Sequence, residues 1–163
     1  MNSQRTRSNY SFLVFVFFIA GGIVVYLTFA DFPELSIAQH FPGAYGFLLV
    51  PAGLSFFFAM TVLGVFLLPV CSFACGACVA YLAQNMFLGG MDYREVRDLC
   101  AYLCVLIPAF FVVCSGGMHT SALIREAVVK AKSQVNKPFR SYVFAAAAAA
   151  AAVCLAGYII KKI

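Results

Sequence analysis

The chain has 163 residues, 64% of them hydrophobic and only 10% charged, with a mean hydropathy of +0.95. Soluble domains carry about 45–50% apolar and roughly 25% charged residues, and a compact domain of ~150 residues buries only about 70% of the surface its unfolded chain exposes. The surplus apolar surface needs lipid as its solvent, which excludes a soluble enzyme, a disordered chain and a disulfide-stapled secreted scaffold.

The expected class is all-α, one integral membrane domain over 1–163 forming a polytopic transmembrane helical bundle of about five spans. The first apolar run, 11–30, is uncharged and long enough for one helical crossing of a hydrocarbon core about 30 Å thick. Arg5 and Arg7 precede it, and Asp31 and Glu34 follow. A cleaved secretory signal is the rival reading, since the run ends on Ala30, but signal h-regions are about 7–15 residues, so an uncleaved anchor is expected.

From 44 to 82 no side chain is charged. As one helix this stretch would exceed a single bilayer crossing, so two spans are expected, at 44–63 and 68–88, joined by a tight turn with Gly64 and Pro69 as the available breakers. A break in lipid strands backbone groups unless neighbours cover them, so the turn is expected at the cytoplasmic interface or in a protein-lined pocket. The charged stretch 92–98 reads as an interfacial loop or one helical turn. The fourth span is expected at 99–123 and the fifth at 142–160. The five-span count places the N-terminus and the basic segment 125–140 in the cytoplasm. That segment carries Arg125, Lys130, Lys132, Lys137 and Arg140 against Glu126 alone, a net +4, whereas the outer segments 31–43 and 89–98 carry −2 and −1. Basic loops stay inside. The same distribution argues against a nucleic-acid partner, despite the net charge of +5.

The fifth span contains eight consecutive alanines, Ala145 to Ala152. Such a smooth surface lets another backbone approach closely, by van der Waals contact. Ala145, Ala148, Ala149 and Ala152 are therefore candidate partner-contact residues, packing against the chain's own helices being the alternative. Gly21-Gly22 and Gly116-Gly117 are further close-contact points. Tyr10, Tyr26, Tyr45, Tyr81, Tyr142 and Tyr158 lie near span ends, where amphipathic rings prefer to sit.

All seven cysteines fall within apolar spans. Cys71, Cys75 and Cys78 share one helical face, as do Cys100 and Cys104, and Cys75-x-x-Cys78 has the spacing of redox and soft-metal sites. A cluster of these five would suit a small transporter or a thiol-redox or soft-metal protein. Against it, a thiolate is costly in hydrocarbon, no Lys or Arg stands in those spans to stabilise one, and cysteine often serves as a small apolar filler. His119 reads as a solvated helix-end residue, and His40 lies in an outer loop. No nucleophile, phosphate-binding or metalloprotease motif is present, and no Asp or Glu interrupts a span. No enzyme activity, cofactor or resident metal is therefore expected.

From Phe56 onward the chain resembles the stage II sporulation protein M family of bacterial polytopic membrane proteins. The resemblance rests on Leu63-Gly64 and the aliphatic run to Pro69, then Phe73 and Gly76. Further along come Ile107-Pro108-Ala109, Gly116-Gly117, Ser121-Ala122-Leu123-Ile124-Arg125, and Pro138-Phe139-Arg140-Ser141-Tyr142 before a last span. It implies a non-catalytic scaffold in the bacterial plasma membrane. Such a scaffold would hold peptidoglycan hydrolases, a lytic transglycosylase and an amidase or endopeptidase, at the septal membrane during engulfment in sporulation.

Overall fold

The computed structural model describes residues 2–28, 44–87, 92–130 and 136–162. These form five helices: α1 (Asn2–Thr28), α2 (Ala44–Ala59), α3 (Gly64–Phe87), α4 (Tyr93–Lys130) and α5 (Asn136–Lys162). The protein is an all-α helical bundle. Four stretches are long and apolar enough to cross a membrane, Asn9–Thr28, Gly64–Gln84, Val96–Val129 and Phe139–Ile160. Phenylalanines cover much of the outward surface: Phe12, Phe57, Phe66 and Phe144 are all well exposed. Lipid, rather than water, suits such a surface.

Helix α2 differs from the expected second span. It has 16 residues, about 24 Å at 1.5 Å per residue, shorter than the ~30 Å core. Its direction follows from the packing of its neighbours. Ser72 Oγ donates to the Val14 carbonyl at 2.7 Å, Gly76 abuts the Phe18 carbonyl, and Gly22 faces Ala80. Positions 14, 18 and 22 thus meet 72, 76 and 80 in the same order, so α1 and α3 run parallel. The chain between them must return. It does so through α2, whose Leu48 packs with Leu82 and whose Ala59 packs with Leu68.

The same ordering makes α4 antiparallel to α3 and α5 antiparallel to α4. Val65 meets Ser121 at one end and Leu82 meets Leu99 at the other. Gly116 faces Tyr142, and Gly157 faces Tyr102. All five helices therefore traverse the bundle in alternation. Tyr10, Met118 and Tyr142 share one core cluster, so the start of α1, the end of α4 and the start of α5 lie at the same end.

The break between α2 and α3 falls at residues 60–63, and α3 begins at Gly64 rather than at 68. Pro69 lies inside α3, where its absent N–H removes one early bond without ending the helix. The turn is closed locally by Met60 N–H to the Phe57 carbonyl (3.2 Å) and Thr61 N–H to the Phe58 carbonyl (3.0 Å). Helix α4 completes it. Ser121 Oγ donates to the Thr61 carbonyl at 2.7 Å and accepts the Val65 N–H at 3.1 Å. Backbone groups that lipid cannot satisfy thus find a hydroxyl from another helix. Gly64 is required here, because a Cβ would collide with the Phe58 carbonyl and lie 2.9 Å from Ser121 Oγ.

The charged stretch 92–98 is the beginning of α4. Asp92 caps it, its carboxylate accepting Tyr93 N–H at 2.8 Å and its carbonyl accepting Val96 N–H at 3.0 Å. At the other end the basic segment is mostly helical as well: α4 continues through Lys130 and α5 starts at Asn136. With 38 residues, α4 is about 57 Å long.

Candidate functional site

Helix α5 rests on α4. The positions turned inward are Tyr142, Ala146 and Val153, and Ala146 is only 2% exposed. This i, i+4, i+11 rhythm uses one stripe of the alanine run and leaves another outside. Ala145, Ala148 and Ala152 are exposed, while Ala149 is half-buried. Of the four candidate contact residues, three therefore share an outer stripe, and Ala149 turns toward a groove.

That groove is an apolar space of about 340 Å³ between α2, α4 and α5. Ala52 and Phe56 line it from α2, Ala109 and Val113 from α4, and Ala149 and Ala150 from α5. It exists because alanine methyls are too short to span from α5 to α2. Its depth matches the middle of the bundle, where Pro108 on α4 and the alanine run on α5 lie.

The thiols do not assemble as the spacing suggested. Cys71, Cys75 and Cys114 are buried and Cys78 is half-buried, but Cys100, Cys104 and Cys154 are exposed. The inward face of α4 is set by Leu99, Tyr102, Leu106, Phe110, Cys114 and Met118, a helical period that turns Cys100 and Cys104 outward. Cys75 and Cys114 belong to one core cluster, whereas Cys78 packs against the other. Among the described residues, no three His, Cys, Asp or Glu side chains are grouped to hold a metal ion. The proposed set Cys71, Cys75, Cys78, Cys100 and Cys104 is thus divided between core and surface.

Tyr142 is a second correction. It is not an interfacial ring but a core residue, 5% exposed. Its ring lies against Gly116 and stacks on Phe56 at 6.4 Å. Its hydroxyl is buried with no hydrogen-bond partner among the described residues. Of the other tyrosines expected near span ends, Tyr26 and Tyr158 are well exposed.

His119 is partly buried between the buried Met118 and Thr120. Of the basic residues, Arg125 on α4 and Arg140 on α5 are exposed. Lys130 is the last residue of α4 and Lys137 lies in the first turn of α5, while Lys132 and His40 fall outside the described residues. The sequence gives no sign of the bridging role of two hydroxyls, Ser72 and Ser121. Each bridges two helices, and neither has a spacing signature that distinguishes it from its neighbours. No known protein family, characterised protein or solved structure matches the chain.

Proposed function

We propose that this integral membrane protein is a non-catalytic scaffold that seats another membrane protein against α5. The observation that carries the reading is the outer stripe of Ala145, Ala148 and Ala152 beside an apolar groove at mid-bundle. Small residues let a second helix approach to backbone distance, where dispersion contacts accumulate. The described Asp, Glu, Lys and Arg side chains stand toward the two ends of the bundle rather than around a common cleft, as at the pair Arg97–Asp98, which favours attachment over catalysis.

The resemblance to the stage II sporulation protein M family supplies the partner class. In this reading the chain sits in the bacterial plasma membrane with its basic end in the cytoplasm. It holds peptidoglycan hydrolases, a lytic transglycosylase and an amidase or endopeptidase, at the septum during engulfment. A scaffold of this kind raises the effective concentration of its partners without changing their chemistry. The division of the thiols between core and surface favours this reading over a small transporter or a thiol-redox or soft-metal protein.

Co-purification in mild detergent from sporulating cells tests the proposal. The wild-type chain should retrieve wall hydrolases or their membrane subunits, and Ala148→Phe should reduce that recovery at least tenfold while the chain itself stays folded. Recovery of the chain alone, or equal recovery with Ala148→Phe, overturns it. A reporter inserted at 131–135 should behave as cytoplasmic.

A further inference from the structure

Three helix ends carrying basic residues converge at one end of the bundle. Arg5 and Arg7 lie in the first two turns of α1, Arg125 and Lys130 in the last two turns of α4, and Lys137 and Arg140 in the first two turns of α5. Their helices are brought together by the core cluster that contains Tyr10, Met118 and Tyr142. Glu126 is the single acidic residue among the described residues of these segments, so six basic residues against one acid give this end a net +5. The opposite end is nearly balanced. Among the described residues that end carries Arg94, Arg97, Lys161 and Lys162 with Asp92, Glu95 and Asp98.

Helix α4 adds a second, independent observation. At about 57 Å it exceeds the ~40–45 Å of a bilayer with its headgroup layers. Its last turns therefore either stand in water or lie within the headgroup layer. Val128 and Val129 are 69% and 76% exposed there, directly between exposed Arg125 and Glu126 and the terminal Lys130. Adjacent exposed valines flanked by cations match an interfacial segment, with apolar side chains at the headgroup–acyl boundary and charges among the phosphates.

We propose that this end of the bundle is a collar for anionic phospholipid, formed by the start of α1, the projecting end of α4 and the start of α5. The collar recognises negatively charged headgroups in the adjacent leaflet, with Val128 and Val129 seated beneath them. Attraction of this type depends on the number of basic residues near the surface and falls with salt. It would bias the protein toward membrane regions rich in anionic lipid, independently of any protein partner on α5.

The test uses the full chain purified in mild detergent and offered equal amounts of phosphatidylglycerol and phosphatidylcholine, with bound lipid counted by native mass spectrometry. The wild type should retain phosphatidylglycerol at least fivefold over phosphatidylcholine at low salt, and the preference should shrink at high salt. Arg125→Gln and Arg140→Gln should each lower it about fivefold, whereas the pair Arg94→Gln and Arg97→Gln at the opposite end should leave it unchanged. Equal retention of both lipids by the wild type, a preference insensitive to salt, or equal losses from both ends overturns the proposal. The wild-type salt series decides the matter even if a variant fails to fold.

Discussion

Two helix seams of this bundle, α1 on α3 and α5 on its neighbours, are built on opposite terms. Between α1 and α3 the backbones touch. Gly21 lies on the Phe73 carbonyl and Gly76 on the Phe18 carbonyl, a reciprocal pair in which each helix repeats Phe-x-x-Gly. Ser72 adds a hydrogen bond to Val14, and Phe18 packs its ring against Phe111 at 5.3 Å. Between α5 and the rest of the bundle, contact is made by methyl groups and by two tyrosine rings, Tyr142 against Gly116 and Tyr102 facing Gly157. Phe56 of α2 stacks on Tyr142, and an apolar groove is left beside Ala149. Glycine and alanine are both called small, yet glycine here brings two backbones together while alanine keeps a helix at arm's length. The α1–α3 seam is closed at backbone distance, whereas the outer stripe of Ala145, Ala148 and Ala152 on α5 is exposed.

The sharpest way to break the contrast is to add a single methyl group to the α1–α3 seam. Gly76→Ala places a Cβ on the Phe18 carbonyl, and since neither backbone can yield without moving its helix, thermal unfolding in detergent should show a loss of about 3 kcal/mol. Removing the clamp on the α2–α3 turn should cost less. Ser121→Ala leaves the Thr61 carbonyl and the Val65 N–H without their partner, a loss of about 1–2 kcal/mol, read in the same assay together with faster amide exchange at Val65. On the loose side the sign reverses. Ala149→Leu extends into the groove and should stabilise the isolated chain by about 0.5–1 kcal/mol while reducing partner recovery. The smallest effect is expected from Cys100→Ala and Cys104→Ala, which change outward positions and should leave stability within about 0.5 kcal/mol.

Much of the architecture was legible from hydropathy alone, because a span is a property of some twenty residues together and tolerates error at any one of them. The helical bundle, the paired segments between 44 and 88, and the close-contact role of Gly21 and Gly117 all follow from that kind of pattern. The misreadings concern single positions. Pro69 looked like a breaker, but a proline near a helix start leaves most of the ladder intact. Cys100 and Cys104 share a face, yet their own spacing cannot say whether that face is inward. Their bulky neighbours Leu99, Tyr102 and Leu106 decide it. Tyr142 stands at a span boundary by count, and only the opposing Gly116 and Gly117, which make room for its ring, draw it into the core. Ser121 stood out only as part of a resemblance, and its bridging role was not legible for a similar reason: its partner is a turn some sixty residues earlier, and no local pattern points to it.

The parallel pairing of α1 with α3 also has a consequence for biogenesis. The notch that Gly21 offers has no occupant when the first helix leaves the translocon, nor when α2 follows, and it closes only once the third helix has entered the bilayer. The hydroxyl that fastens the α2–α3 turn arrives later still, on the fourth. The nascent chain must therefore cross the membrane first and fasten itself afterwards, each joint waiting on a segment not yet synthesised.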